Sequence, residues 1–308
     1  MVGLNLNYKG ALGDILCLSS AIYDFKTANP DIALAVNCPF AVVLSGYGLS
    51  YTKENYGNLY ITDEQYKAAV LAAQTKPKHV IEFFHNVLEQ ISGRPCPVVS
   101  QAPVIVPRLL PPAPVDGTYW VLFAGGKSDI PLKMWNGDYY QAVVDYLISR
   151  NIKVVQTGRV GDRHYALQNT IKFFDPVSND NNLRRLFSLI RHSAGVICPI
   201  TSGMHLAAAF NKPCVVIAGG REDPWWEAYN GDYGAFNGQY AGVPHRYLQT
   251  VGRDPELACC YLSGCWNRTF GDGQCEQFNV LVDFPNRLAK CMMTISPEQV
   301  IQAVESYL

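Results

Sequence analysis

The chain has 308 residues, 48% of them hydrophobic and 17% charged. That is length for two domains of ordinary size and apolar content for large cores, which excludes intrinsic disorder. Lys plus Arg number 25 against 26 Asp plus Glu, a formal net charge of −1; a basic protein that coats nucleic acid is disfavoured, although a local basic groove would survive that balance.

The opening Met-Val-Gly-Leu-Asn-Leu-Asn carries no basic region ahead of an apolar block. The longest apolar runs, such as Cys214–Ala218, are strand-length, far short of a membrane helix. A soluble, cytoplasmic protein is expected. In chain order, Val2–Tyr8 reads as a strand that runs into the turn Lys9-Gly-Ala-Leu-Gly13-Asp14. Ile15 to Ala28 has helical spacing and stops at Pro30, and Ile32–Val36 is a second strand. Helices follow at Asp63–Ala73 and Ile81–Ile91, and Val104–Val106 reads as a closing strand. The alternation of strand and helix implies a parallel sheet covered on both faces.

Val106-Pro-Arg-Leu-Leu-Pro-Pro-Ala-Pro-Val115 interrupts the pattern, because proline cannot donate to a ladder and stiffens the backbone. It divides the chain into residues 1–108, a linker at 109–117, and residues 118–308. Beyond it, strands are expected at Trp120–Phe123, Ile152–Thr157, Ala194–Cys198 and Pro213–Ala218. Helices are expected at Asn136–Ser149, Leu183–Arg191, Met204–Phe210 and Pro297–Leu308. Two Rossmann-like halves would face each other across a cleft, with ligands at the carboxyl ends of strands.

The informative residues lie just after strands. Gly13 and Asp14 open the first helix; the glycines permit close backbone approach, and Asp14 reads either as an N-cap carboxylate of depressed pKa or as a base facing the cleft. Lys127 and Lys133 bracket the turn after the second half's first strand, where a lysine can contact phosphate or simply face solvent; Trp135 beside them reads as packing. Thr201, Ser202, Gly203, Met204 and His205 start a helix whose free amides suit an anion, or which is merely capped by a hydroxyl. Gly219 to Tyr229 packs two glycines, the charged trio Arg221-Glu-Asp223 and three aromatics together. Arg221 could clamp phosphate there and the tryptophans could stack on a base or sugar, or the segment could be an interdomain seam.

Of ten cysteines, Cys17, Cys38, Cys96, Cys198 and Cys214 sit among apolar neighbours and read as small buried hydrophobes. Cys259, Cys260, Cys265, Cys275 and Cys291 cluster near the C-terminus without a Cys-x2-Cys knuckle. Cys260, Cys265, Cys275 and Cys291 could hold a structural zinc or iron as four thiolates; free thiols and disulfides are the other readings.

Together these segments resemble glycosyltransferase family 9, whose best-known members are ADP-heptose:lipopolysaccharide heptosyltransferases. The resemblance rests on Gly10-Ala-Leu-Gly-Asp-Ile-Leu16, Lys133-x-Trp135, Val154-Val-Gln-Thr-Gly158, Met204-His-Leu-Ala-Ala-Ala209 and Lys212-Pro-Cys-Val-Val216. It implies an α/β GT-B fold, two Rossmann-like domains facing a central cleft, the acceptor on the first and the nucleotide sugar on the second. It further implies inverting transfer of a heptose-like sugar without a catalytic metal. Asp14 would be the general base, and Gly13, Lys133, Gly158, residues 201–205 and Arg221 would lie around the donor. Ile200 stands where the family has an aspartate. Some family-9-like protein heptosyltransferases carry cysteine-bound iron, and the present cluster is similar in kind but not in spacing. A glycan, a protein or another hydroxyl compound, including a modified nucleic acid, remains open as acceptor. A transferase of another sugar, a catalytically silent sugar-nucleotide binder or structural protein on the same fold, and an epimerase-type enzyme remain open as alternatives.

Overall fold

The computed structural model describes residues 2–49, 57–73, 78–106, 110–126, 133–175, 180–220, 224–229, 242–249, 278–279 and 288–308. The first lobe is built on β1 (Val2–Asn7), α1 (Leu12–Ala28), β2 (Ile32–Asn37), β3 (Gly57–Tyr60), α2 (Asp63–Ala73) and α3 (Val80–Ser92). Its described strands run parallel in the order β2-β1-β3. Every residue of α1 from Ile15 to Ile22 is buried, all round the helix. A surface helix would hide one stripe only; α1 is covered by the first lobe on one side and by the second on the other.

The second lobe comprises β4 (Tyr119–Leu122), β5 (Gly125–Gly126), α4 (Gly137–Ser149), β6 (Lys153–Arg159), β7 (Arg163–His164), β8 (Ile171–Asp175), α5 (Asp180–His192), β9 (Gly195–Pro199) and α6 (Ser202–Ala209). It continues with β10 (Cys214–Gly219), α7 (Pro224–Glu227), β11 (His245–Gln249), β12 (Phe278–Asn279), β13 (Leu288–Ala289), α8 (Lys290–Met293) and α9 (Pro297–Glu305). Among the described residues, six parallel strands form its main sheet in the order β11-β10-β9-β4-β6-β8. The chain leaves β4 toward β6 on one side and returns to β9 on the other, so the order reverses between β4 and β9. Such a switch point opens a crevice at the carboxyl ends of the two strands, where open α/β sheets bind ligands.

One apolar core runs from the first lobe, through α1, to Tyr119, Val121, Phe187 and Leu206 on the facing side of the second-lobe sheet. A separate core behind that sheet gathers Trp120, Leu122, α4 and α9. Among the described residues, no helix is long and apolar enough to cross a membrane.

Most expected elements are present within a few residues. The expected strand at Val104–Val106 is not, because side chains of α1 and a neighbouring tyrosine take its backbone groups. The Val104 amide donates to Ser19 Oγ at 3.0 Å and its carbonyl accepts from the Tyr47 hydroxyl. Asp24 does the same slightly upstream. Its Oδ2 accepts from the amides of Val99 (3.0 Å) and Ser100 (2.7 Å) and pairs with His85 Nε2 at 2.9 Å, and its Oδ1 accepts from the Ser100 hydroxyl at 2.8 Å. Burial alone would raise the pKa of this carboxyl, but the His85, Ser100 and Val99 hydrogen bonds outweigh it and hold it below the ordinary value.

Replacing Asp24 by Asn puts an NH2 group where one of these oxygens accepts, so at least one donor loses its acceptor, and is expected to cost about 2 kcal/mol. Chemical unfolding at neutral pH measures the loss. A depressed native pKa contributes stability above the unfolded value of 3.8 that disappears as pH falls below it. The difference between wild type and D24N therefore narrows in acid, and a gap constant down to pH 3 (roughly where protonation sets in) would count against this anchor.

Candidate active site

The tip of α1 is built from the turn after β1. A side chain at Gly10 would collide with the Tyr8 ring at 2.4 Å and with Asp14 Cβ at 2.8 Å, so only glycine fits there. The Ala11 amide donates to Asp14 Oδ2 at 2.9 Å, which gives the carboxylate a local role at the helix start. Asp14 nevertheless keeps part of its surface open. Its pKa is raised, not depressed as the helix position suggests: burial and then the charge of Glu227 push it up, against the Ala11 amide, His205 and a hydrogen bond from Tyr66. A raised carboxylate is a stronger base, closer to what proton abstraction near neutral pH requires.

Across the gap, β9 ends at Pro199 and α6 begins at the switch point. Thr201 caps α6, its Oγ1 accepting from the Gly203 amide at 3.4 Å. Gly203 has no room for a side chain because the Phe123 ring, at the carboxyl end of β4, would lie 2.6 Å from it. Met204 is fully buried beneath the helix, and the Ile200 side chain is buried with it. Lys133 Nζ donates to the Ile200 carbonyl at 3.1 Å, which seats an ammonium directly beside the N-terminus of α6. Cation and helix amides thus converge on one edge of the crevice, the arrangement an anion needs.

His205 sits one turn into α6 and points at α1. A Cβ on Gly13 would lie 3.1 Å from its Cδ2, so the glycine is what lets the two helix starts approach. Its Nδ1 is 2.8 Å from Tyr229 Oη and 3.3 Å from Cys17 Sγ, and its Nε2 is 3.2 Å from Glu227 Oε2. The last contact is an ion pair by distance without hydrogen-bond alignment. Burial lowers the pKa of His205, but Cys17 and Glu227 together carry it well above the ordinary value.

The remaining candidates fall in different places. Gly158 is the penultimate residue of β6, toward the same carboxyl edge, where the His164 ring occupies the space a side chain would need. Trp135 is a packing residue: its Nε1 donates to the Ile295 carbonyl at 2.9 Å and its ring packs against Tyr139 and Tyr140. Trp226 is spent likewise, edge-on to Tyr66 at 5.6 Å and near Phe83, so the Gly219–Tyr229 segment includes an interlobe seam. Arg221, Lys127, Cys259, Cys260, Cys265 and Cys275 lie outside the described residues. Cys291 is buried in the second lobe, with Sγ 3.3 Å from where a Cβ on Gly219 would stand. Among the described residues no group of three or more His, Cys, Asp or Glu is arranged to hold a metal ion.

Four residues beside Asp14 and His205 were not singled out by sequence: Tyr66, Cys17, Glu227 and Tyr229. The last two stand in the aromatic and charged run after β10, whose composition was the one available signal. Cys17 looked like any other apolar-flanked cysteine.

A sequence model of glycosyltransferase family 9 (heptosyltransferase) matches residues 66–250, more than half of the chain. A search of curated proteins gives no match. Among solved structures, a family 9 glycosyl transferase from Veillonella parvula superposes with a TM-score of 0.59 at 14% identity, covering 99% of this chain and 97% of that one. The E. coli ADP-heptose LPS heptosyltransferase II gives 0.58 at 12%, covering 100% and 98%. TibC of enterotoxigenic E. coli, described as a dodecameric iron-containing heptosyltransferase and solved with ADP-D-β-D-heptose, gives 0.63 at 15%, covering 99% and 76%. These likenesses establish the GT-B architecture, with two Rossmann-like domains facing a cleft, and the match across residues 66–250 establishes more: the chain belongs to glycosyltransferase family 9.

Proposed function

We propose that this chain is a cytoplasmic, inverting glycosyltransferase that moves a heptose-like sugar from a nucleoside diphosphate to an acceptor hydroxyl, with Asp14 as general base and no catalytic metal. The observation that carries the reading is the confrontation of Asp14, at the tip of α1, with the Lys133-flanked start of α6 across the gap between lobes. Asp14 takes the acceptor proton as the acceptor oxygen forms its bond to the anomeric carbon. The bond from that carbon to the diphosphate breaks on the opposite face, and the nucleoside diphosphate leaves with the electron pair. Lys133 and the N-terminal end of α6 meet the developing charge, the task a bound divalent cation performs elsewhere. In this reading residues 1–108 take the acceptor and residues 118–308 the donor, with Gly158 on the donor edge and Arg221 a further phosphate contact. TibC binds ADP-D-β-D-heptose, which makes that compound the first donor to try.

The cysteines form a separate part of the proposal. Cys260, Cys265 and Cys275 with Cys291 would hold a structural iron or zinc that orders residues 259–291 and takes no part in transfer. The donor set is chemically suited, since four thiolates favour either metal.

Asp14→Asn is expected to lower turnover of ADP-D-β-D-heptose at least about 100-fold while leaving ADP affinity intact; wild-type turnover overturns the base assignment. No turnover by the wild-type chain across a sugar-nucleotide panel, with ADP still bound, selects the silent binder, a reading that the apolar Ile200 favours.

Lys133→Ala removes one charged contact and is expected to weaken ADP binding roughly tenfold by calorimetry. Unchanged affinity removes Lys133 from the site.

Elemental analysis of the purified protein tests the metal. About one iron or zinc per chain, lost together with thermal stability on chelation, is expected; no metal, with every thiol titratable, overturns it.

A further inference from the structure

We infer that His205 is a positioning residue for Asp14: its ring, held by Glu227 on one side and by Cys17 and Tyr229 on the other, braces the first turn of α1 from the opposite lobe and sets the carboxylate between neighbours of opposite charge. The inference rests on the reading of Asp14 as the base and deepens it.

The geometry is specific. Gly13 and Cys17 lie one turn apart on the same face of α1, and both meet the same imidazole. The ring edge Cδ2–Nε2 lies against Gly13, and Nδ1 faces the Cys17 thiol. A flat ring laid along one helical turn fixes the rotation of that turn about its axis, and Asp14 is the next residue round. Cys17, Tyr229, Glu227 and His205 are all buried, and both ring nitrogens face protein groups. His205 therefore turns its nitrogens to this network and not toward a diphosphate, although it belongs to the helix that would bind one.

The charges are arranged to match. Facing His205 are Cys17 and Asp14 from α1, Glu227 from α7, Tyr229 just beyond it, His79 at the start of α3 and His245 on β11. Burial holds His79 and His245 down at about 3, so both are neutral near pH 7. Burial pushes the Cys17 thiol up, and His205 beside it pulls the other way. Facing Asp14 are Glu227, His205, Tyr66 from α2 and Tyr8 from the end of β1, whose phenols burial drives upward. Glu227 repels the charge on Asp14 and His205 attracts it, so the base sits between two opposed influences delivered by the other lobe.

The test titrates Asp14 itself, by NMR of protein carrying ¹³C in its aspartate carboxyls, with D14N to assign the signal. In H205Q the Asp14 midpoint is expected to move up by about one pH unit, because Glu227 is left uncompensated. In E227Q it moves down, and in H205Q/E227Q it returns to the wild-type position or below. Circular dichroism and melting confirm that each variant is folded; if H205Q does not fold, E227Q decides alone. An unmoved midpoint in folded H205Q or in E227Q, or a double variant that tracks H205Q, overturns the inference. The reading beneath it fails separately: wild-type turnover by D14N would remove the base while leaving these titrations as they are.

Discussion

The structure turns on the approach of two helix starts from different lobes. α1 brings Gly13 and Asp14, α6 brings His205, and the two can meet because residue 13 has no side chain. The residues proposed for group transfer are grouped around that contact. On one side is a carboxylate at a helix tip; on the other is a helix N-terminus with a lysine beside it. The apolar core that continues from lobe to lobe holds the contact in place, with α1 buried on all sides between them.

The same contact explains why the carboxylate is poised as it is. A carboxylate at the start of an isolated helix is stabilised by amides and a favourable dipole, and its pKa falls. Asp14 has the amide, from Ala11, yet its pKa is raised. Desolvation and the nearby Glu227 both come from burial of the tip against the second lobe. The site thus overrides a local rule with a tertiary one, and the result suits proton abstraction better than the local rule would.

On the second lobe, the decisive feature is strand order. β4 and β9 are neighbours in the sheet although α4, β6, β8 and α5 separate them in sequence. That places Phe123 against Gly203, and lets Lys133, just ahead of α4, reach the Ile200 carbonyl. The Lys-x-Trp pair divides its labour: Lys133 turns to the crevice while Trp135 is locked into the rear core through Ile295.

Periodicity and turn residues determined most of the elements from sequence alone, because helical spacing and apolar runs report the local backbone directly. The order of short motifs determined the family, and glycines at 10 and 13 marked where close approach was needed, since a missing side chain is legible without knowing what fills its place. What fills it was decided only by the tertiary structure: the Tyr8 ring and the His205 ring, as was the Phe123 ring that requires a glycine at 203. The strand expected at Val104 failed because Ser19 and Tyr47, remote in sequence, take its hydrogen-bonding groups. The sign of the Asp14 shift, and the grouping of Cys17, His205, Glu227 and Tyr229, likewise depend on residues about 190 to 210 positions apart, brought together by lobe packing. Electrostatics and hydrogen bonding act through space, and no pattern of neighbours along the chain encodes which distant groups will share it.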